Sequence, residues 1–180
     1  MTDESYIQLA LEIAKKGAGF VSPNPLVGCV IVKKNRIVGA GFHEKFGKPH
    51  AEVNAIKSAK ESLEGATLYI NLEPCSHTGK TPPCVDAIIE NKIKKVVIGT
   101  LDMNPVVSGS GVKKLKESGV EVKVGVLEDE CIKLNKFFFK HITKGIPYVT
   151  LKAAQTIDGK IADKKGKSKW ISSEESRAYV

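Results

Sequence analysis

Two short segments of the chain contain the residue types that bind metals and move protons. Residues 50–52 read His-Ala-Glu, and residues 74–84 read PCSHTGKTPPC, with eight residues between the two cysteines. One imidazole and two thiolates are a good ligand set for zinc, and three protein ligands leave the fourth tetrahedral position open for water. We expect the glutamate to lie beside that water. The predicted centre comprises His50, Cys75 and Cys84 as zinc ligands and Glu52 as the catalytic proton carrier.

Such a centre is suited to the hydrolytic removal of an amino group from an aromatic ring. Zinc lowers the pKa of a bound water to about 7. A neighbouring carboxylate can transfer the water's proton to a ring nitrogen and then to the departing amine. The same combination of histidine, glutamate and two cysteines occurs in zinc deaminases. The alternative is a closed structural zinc site with His77 as the fourth ligand, which would not require Glu52.

These residues must be positioned by a chain in which helices alternate with strands. Apolar periodicity predicts helices over 3–17, 51–63, 84–92, 111–119 and 128–145. It also predicts a hairpin over 27–43 that turns at Lys34-Asn35, and strands over 66–72, 94–100 and 120–127. We expect an α/β fold, a three-layer α-β-α sandwich with a mixed, mainly parallel five-stranded sheet. Because strand C-termini and helix N-termini share one edge of such a sheet, the residues of the predicted centre would meet there.

Composition and charge limit the classes of partner. The net charge is +8, but the basic residues are spread along the chain without a dense block, which argues against a nucleic-acid partner. No run approaches the roughly 18 apolar residues of a membrane helix, and the start, MTDESYIQLA, lacks the order of a secretory signal. Four irregularly spaced cysteines indicate metal binding in a reducing cytoplasm. We expect a cytoplasmic protein without a membrane partner; the oligomeric state stays open, and a homo-oligomer is compatible with the sequence.

The character of the sequence changes after Gly145. The last 35 residues begin with a predicted strand over 148–155, turn at Asp158-Gly159 and continue with a helix start at SSEES. A segment of this length is too short to form a core of its own. We therefore predict a zinc-dependent deaminase domain over 1–145 and the incomplete start of a second α/β domain over 146–180.

Longer motifs resemble the bifunctional riboflavin-biosynthesis deaminase/reductase family. Its deaminase half is similar to SPNPLVGCVIV, GFHEKFGKPHAE, NLEPCSHTGKTPPCVDAI and DMNPVVSGSGVKKLKESGVEV, and the opening of its reductase half to PYVTLKAAQTIDGKIA. The eight-residue gap between the cysteines is the most specific feature, because nucleoside and nucleic-acid deaminases usually have two residues there. Where the family commonly reads Asp-Pro-Asn-Pro, this chain has Met103 in place of the first proline.

The resemblance implies a cytidine-deaminase-like fold and a small phosphorylated pyrimidine as substrate. The implied reaction converts 2,5-diamino-6-ribosylamino-4(3H)-pyrimidinone 5′-phosphate to 5-amino-6-(5-phosphoribosylamino)uracil with Zn²⁺ as cofactor. The implied substrate-binding residues are Asn24, His43, His77, Lys80, Asp102 and Asn104. Candidates near the substrate site of the reductase half are Lys152, Ser168, Trp170 and Ser172. NADPH is implied only for a complete reductase half, and we expect no NADPH-dependent reduction by this chain.

The sequence leaves other interpretations open. A deaminase acting on a nucleoside or nucleic acid, or a zinc-stabilised binding module, would use the same metal ligands. Asn24 could be a simple turn residue, and His43 a histidine with purely structural hydrogen bonds. Gly-Ser-Gly at 109–111 before a helix is a weak signal for a phosphate cradle. Cys29 and Cys131 are predicted to pack in the core.

The long loop between the cysteines generates a prediction about the substrate phosphate. Lys80→Ala should weaken binding of the phosphorylated substrate far more than binding of its dephosphorylated analogue, because only the former loses a charge-assisted contact. Dissociation constants for the two compounds test this. Equal weakening of both would assign Lys80 to the ring or to the structure of the loop.

Overall fold

A β-hairpin near the N-terminus begins the central sheet. The structure, a computed structural model, describes residues 1–77, 82–104 and 108–179. Strands β1 (Gly28–Lys33) and β2 (Arg36–Phe42) pair antiparallel. Between them Lys34 and Asn35 have φ angles of 49° and 60°. A two-residue type I′ turn requires positive φ at both central residues. The predicted hairpin and its turn are confirmed.

Three further strands extend the sheet: β3 (Thr67–Leu72), β4 (Lys95–Thr100) and β5 (Glu121–Val124). In the described part of the chain the strand order is β2-β1-β3-β4-β5. Strand β1 is antiparallel to both of its neighbours, whereas β3, β4 and β5 are parallel to one another. Four of the five strands therefore run in one direction, which is the predicted mixed, mainly parallel sheet.

Helices cover both faces of the sheet. They are α1 (Asp3–Ala14), α2 (Ala51–Ser58), α3 (Cys84–Glu90), α4 (Ser110–Glu117), α5 (Glu128–Leu134) and α6 (Lys136–Lys144), with α7 (Glu174–Tyr179) further along the chain. Alternate residues of β1 point to opposite faces. Cys29 and Ile31 join the core formed with α2, α3 and α4, whereas Val30 and Val32 join the core formed with α1 and α5. The predicted three-layer α-β-α sandwich is confirmed.

Helix α2 lies unusually close to strand β2. A Cβ atom on Gly41 would lie 2.4 Å from the backbone nitrogen of Ala55, so only glycine permits this approach. Ser58 ends the helix earlier than the predicted residue 63. Its hydroxyl donates to the Ala55 carbonyl at 2.8 Å and accepts the N–H of Ala40 at 2.9 Å, which ties the end of α2 to β2.

The single helix predicted over 128–145 is wrong, because α5 and α6 are separated at Asn135. The Asn135 backbone has φ −103° and ψ 22°. Its side-chain oxygen accepts the N–H of Leu26 at 2.7 Å, and its amide donates to the Leu26 carbonyl at 2.9 Å. Asparagine often competes with helical hydrogen bonding in this way. Here the tertiary pairing with Leu26 replaces helical continuity.

The chain divides into two compact units, Met1–Pro147 and Tyr148–Val180. In the second unit the predicted turn at Asp158-Gly159 is present, with the Gly159 N–H donating to the Thr156 carbonyl at 2.9 Å. The predicted strand over 148–155 is wrong, because these residues, all described, form no strand. A strand needs a neighbouring strand for its backbone groups, and none of the described strands pairs with this segment in a sheet.

Apolar side chains of the second unit are exposed. Val149 is 79% and Leu151 92% exposed. Within the described ranges, no helix has the length and apolar character needed to cross a membrane.

This exposure predicts the order of cleavage in limited proteolysis. Trypsin should cut at the exposed Lys152 before it cuts at Lys113 or Lys114 of α4, because proteases need accessible, unpaired backbone. Mass spectrometry of a digestion time course reports the order. Equal rates at the α4 lysines and the second-unit lysines would show that residues 148–179 are as well protected as the sheet unit.

Candidate active site

The three predicted metal ligands lie together. The ligand atoms of His50, Cys75 and Cys84 are all within 4.8 Å of one another. The Nδ1 atom of His50 is 3.6 Å from the sulfur of Cys75 and 3.3 Å from the sulfur of Cys84. One imidazole nitrogen and two sulfurs in this arrangement fit zinc. His77 is exposed and does not belong to this group of atoms, so the geometry does not favour a closed four-ligand site.

Two helix N-termini and one strand end create this convergence. His50 is the N-cap residue of α2, and Cys84 is the first residue of α3. Cys75 follows β3 after two intervening residues. The N–H of Cys84 donates to the Cys75 sulfur at 3.3 Å, and the N–H of Val85 donates to the Cys75 carbonyl at 3.2 Å. The first turn of α3 therefore fixes both the side chain and the backbone of Cys75.

Hydrogen bonds within the cluster control the protonation of its thiols. The pKa of Cys75 is lowered to about 4, first by the hydrogen bond with the Cys84 thiol and also by His50, while burial opposes the shift. The same hydrogen bond and burial raise the pKa of Cys84. The pKa of His50 is raised, chiefly by its hydrogen bond with Cys75. The cluster thus stabilises one thiolate by itself, and a divalent cation would stabilise both.

Glu52 lies beside this cluster in the first turn of α2. Its side chain is only 3% exposed, although it contributes to the wall of the adjoining cavity. Burial, followed by the charge of Cys75, raises the pKa of Glu52 to about 7. A carboxyl group in such surroundings is suited to both accepting and donating a proton near neutral pH.

The cluster opens into a cavity of about 350 Å³. Its polar lining comes from strand ends and loops and includes Asn24, His43, Lys48, His50, Glu52, Glu73, Cys75, His77, Asp102 and Asn104. Its apolar lining includes Pro25, Val27, Phe46, Leu72, Phe138 and Ile142. The cavity therefore combines convergent polar groups with an apolar wall, as small-molecule sites usually do.

Asn24 and His43 form a hydrogen-bonded pair at the cavity. His43 is 3% exposed, and its Nδ1 lies 3.1 Å from the carbonyl of Pro49. A carbonyl only accepts, so Nδ1 carries the proton. Burial lowers the pKa of His43 and favours the neutral ring. Its Nε2 then accepts from the Asn24 amide at 3.1 Å. His43 thereby orients Asn24. The sequence allowed either substrate binding or purely structural hydrogen bonds for His43, and this contact is structural but acts on a predicted substrate residue.

Two asparagines that were not predicted from the sequence bind the backbone of the segment that follows Asn24 in the chain. The Asn71 side chain accepts the N–H of Gly28 at 2.8 Å and donates to the Leu26 carbonyl at 2.9 Å. Asn135 pairs with both backbone groups of the same Leu26. The only sequence signal was an asparagine inside the otherwise apolar strand TLYINL.

The remaining predicted substrate residues lie on two neighbouring loops. His77 is exposed at the cavity, and Asp102 and Asn104 are half-buried in its wall. The Asp102 carboxylate accepts the N–H of Asn104 at 2.9 Å, and burial raises its pKa. Lys80 lies outside the described residues, so its assignment stays a sequence prediction.

The Gly-Ser-Gly segment is not a phosphate cradle. The N–H groups of Gly109 and Gly111 donate to the Glu73 carboxylate at 3.0 and 2.9 Å. They are therefore already satisfied by the protein. Glu73 was also missed from the sequence, where it stands two residues before the first cysteine ligand.

The other singled-out residues have varied surroundings. Cys29 and Cys131 are fully buried, as predicted. In α6, three consecutive phenylalanines differ in their surroundings: Phe139 is buried, Phe137 is 55% exposed and Phe138 lines the cavity. The aromatic run therefore contributes to the site as well as to the core.

The reductase-half candidates Lys152, Ser168, Trp170 and Ser172 lie in the second unit. Lys152, Ser168 and Trp170 are exposed. The guanidinium of Arg177 lies 3.9 Å from the centroid of the Trp170 ring.

Comparison with known families and proteins agrees with this geometry. The family model described as cytidine and deoxycytidylate deaminase zinc-binding region matches residues 1–100, and the RibD C-terminal domain matches residues 147–180. Riboflavin biosynthesis protein RibD of Aquifex aeolicus is 59% identical over 175 residues, which cover 97% of this chain and 49% of that protein. The Escherichia coli RibD protein is 46% identical over 180 residues, 100% of this chain and 49% of the relative. The chain thus spans about half the length of these relatives.

Solved structures show the same relationship. A diaminohydroxyphosphoribosylaminopyrimidine deaminase/5-amino-6-(5-phosphoribosylamino)uracil reductase from Thermotoga maritima is 56% identical, with a TM-score of 0.93 over 98% of this chain and 51% of that chain. The Aspergillus oryzae Rib2 deaminase, at 22% identity and a TM-score of 0.62, shares the fold. With its zinc-binding-region match covering more than half of its residues, the chain belongs to the cytidine and deoxycytidylate deaminase family and is a homologue of the RibD riboflavin biosynthesis proteins.

Proposed function

We propose that the first unit catalyses the hydrolytic deamination of 2,5-diamino-6-ribosylamino-4(3H)-pyrimidinone 5′-phosphate. The observation that carries this proposal is the convergence of His50, Cys75 and Cys84 beside the buried Glu52, at the wall of a cavity that also contains predicted substrate residues. The name of the Thermotoga maritima relative, a diaminohydroxyphosphoribosylaminopyrimidine deaminase/reductase, supports the choice of substrate.

His50 Nδ1 and the sulfurs of Cys75 and Cys84 would hold a zinc ion. When bound, zinc supplies a Lewis acid that lowers the pKa of water to about 7 and so provides a nucleophile at neutral pH. The Cys84 N–H and the first turn of α3 keep Cys75 in place for this role. Residues 1–145 would act as the deaminase domain.

Glu52 carries the proton in the proposed reaction. Its carboxylate takes a proton from the attacking water as the water oxygen bonds to the ring carbon that bears the 2-amino group. It gives this proton to the adjacent ring nitrogen, where the proton stays. The carboxylate then takes the proton of the new hydroxyl group and gives it to the amine. The carbon–nitrogen bond breaks, ammonia leaves and the oxygen remains on the ring. Burial of Glu52 limits proton exchange with bulk water.

The residues that line the cavity would select the substrate. The Asn24 amide, held by His43, and the groups of Asp102 and Asn104 are positioned to read polar edges of the ring or sugar. Phe138 and Ile142 provide the apolar surface against which a planar ring can pack. Lys80, from the sequence, and Lys48, which lines the cavity, are the candidates for the phosphate.

The cellular setting and the second unit are further parts of the proposal. Cys29, Cys75, Cys84 and Cys131 are all free thiols, which is compatible with a reducing cytoplasm. We propose that residues 146–180 belong to a reductase domain with Lys152, Ser168, Trp170 and Ser172 near its substrate site. NADPH is proposed as cofactor only for a complete reductase half.

Ammonia release tests the proposed substrate. The purified chain, loaded with zinc, should release ammonia from the diaminopyrimidine phosphate and not from cytidine or a single-stranded oligonucleotide. A long loop between the cysteines and a distributed charge argue against the latter two. Preferential release from cytidine or from the oligonucleotide would instead assign the chain to the nucleoside or nucleic-acid deaminases.

Substitution of Glu52 tests the proposed mechanism. Glu52→Gln should keep the fold and the zinc content but lose about 10²- to 10⁴-fold in kcat, because an amide cannot accept the proton of water. Glu44→Gln is the matched control, since Glu44 is exposed and lies outside the cavity lining. A loss below about tenfold for Glu52→Gln, with zinc retained, would remove Glu52 from the proton transfer.

A further inference from the structure

Glu73 holds two loops of the cavity together through its carboxylate. It follows β3 directly and is 5% exposed. Its Oε2 accepts the N–H groups of Asp102 at 3.2 Å and Gly109 at 3.0 Å. Its Oε1 accepts those of Gly111 at 2.9 Å and Val112 at 3.1 Å. A single buried side chain therefore satisfies four backbone donors.

This set of hydrogen bonds occupies the whole carboxylate. An ionised carboxylate has about four lone-pair positions, and the four donors use them. Glu73 therefore has no acceptor left for a substrate or a metal, although it lies in the cavity wall. Its effect on the reaction must pass through the backbone that it holds.

The pattern is more than an ordinary helix cap. Gly111 and Val112 belong to the first turn of α4, where free N–H groups are expected. The N–H of Asp102, however, comes from the loop after β4 that carries predicted substrate residues. The Asp102 carboxylate in turn accepts the N–H of Asn104 at 2.9 Å. Glu73 thus begins a chain of contacts that ends at Asn104.

The close approach of α4 to the metal-ligand loop depends on the same arrangement. A Cβ atom on Gly111 would lie 2.1 Å from the carbonyl oxygen of Pro74, so the helix start rests directly on the backbone between Glu73 and Cys75. The hydroxyls of Ser76 and Ser110 are 2.7 Å apart on the same contact. The start of α4 is therefore joined to the cysteine-ligand loop on both sides of Pro74, and Asp102 is joined to the same loop through Glu73.

We propose that Glu73 is a positioning residue for substrate binding, which fixes the Asp102–Asn104 segment relative to the Cys75 loop. The proposal rests on the proposed deaminase function, since it assigns substrate contacts to that segment. Glu73 does not contact the reacting atoms and takes no part in proton transfer. Loss of its carboxylate should therefore weaken substrate binding and leave the metal ligands in place.

Glu73→Gln tests this proposal with a side chain of equal size. The amide nitrogen would point its own N–H groups at two backbone N–H donors, so that half of the clamp is lost. We expect kcat/KM to fall about 10- to 100-fold, since displacement of binding groups by about 1 Å can have effects of this size. The fall should come mainly from a higher KM, with zinc content and the pH profile of kcat unchanged.

Leu115→Ala is the matched control for a merely structural role. Leu115 is fully buried on the same helix and lies outside the cavity lining, so its truncation destabilises α4 without removing the Glu73 hydrogen bonds. KM should stay near the wild-type value in Leu115→Ala. A KM increase equal to that of Glu73→Gln would show that the latter reports only loss of stability, and would overturn the proposal.

A double-mutant cycle shows whether Glu73 acts through the segment. The effects of Glu73→Gln and Asn104→Ala on kcat/KM should be clearly less than multiplicative in the double variant, because both remove the same substrate contact. Effects that multiply fully would show that Glu73 acts independently of Asn104, and the proposal would fail. Ammonia release by the wild-type chain, measured before any variant is made, distinguishes the two failures. Its absence would contradict the proposed function. Its presence, with effects that multiply fully, would contradict only the role of Glu73.

Amide hydrogen exchange of the wild-type chain gives a measurement that needs no folded variant. The amides of Asp102, Gly109, Gly111 and Val112 should be protected to a similar extent, since all four donate to one buried carboxylate. Exchange of the Asp102 and Gly109 amides at the rate of exposed loops would show that the clamp does not form, and would overturn the proposal even if Glu73→Gln failed to fold.

Discussion

Three ligand atoms, one imidazole nitrogen and two sulfurs, lie within 4.8 Å of one another beside a buried carboxylate. The cluster stabilises one thiolate by itself. Two thiolates beside an ionised Glu52 are unfavourable without a compensating cation, because burial penalises thiolates and carboxylates alike. The fold provides the positions by starting α2 and α3 at the edge of the sheet where β3 ends. A cation would provide the missing charge. Metal binding and the folding of this edge are therefore expected to stabilise each other.

Around this centre, buried polar side chains hold the loops by their backbones. Asn71 and Asn135 bind the Leu26 segment, His43 orients Asn24, and Glu73 joins the loops after β3 and β4. A buried polar group is costly unless its hydrogen bonds are satisfied, and each of these groups is paired. Their pairing makes the loop positions specific. The loops around the cavity are therefore held by buried side chains that pair with backbone groups or with the Asn24 amide.

Local patterns in the sequence predicted most of the elements and the grouping of the metal-ligand candidates. Alternating apolar residues and the Lys34-Asn35 turn predicted the hairpin, and the rule that strand ends and helix starts share a sheet edge predicted the meeting of His50 with the cysteines. Long-range pairing was not visible. The break at Asn135 results from its bonds to Leu26, which is 109 residues away in sequence. The Glu73 clamp joins groups up to 39 residues apart, and no local pattern signals it. The strand expected over 148–155 had suitable residues, but none of the described strands pairs with it in a sheet.

X-ray absorption at the zinc edge of the purified wild-type chain tests whether His50, Cys75 and Cys84 bind zinc. We expect about one zinc per chain, with two sulfur ligands at about 2.3 Å and nitrogen or oxygen ligands at about 2.0–2.1 Å. Cys75→Ser and Cys84→Ser should each lose zinc or one sulfur ligand, whereas Cys131→Ala, which changes a buried cysteine outside the cluster, should retain both. A zinc ion bound only by nitrogen and oxygen, or full zinc with two sulfur ligands in both serine variants, would contradict the account.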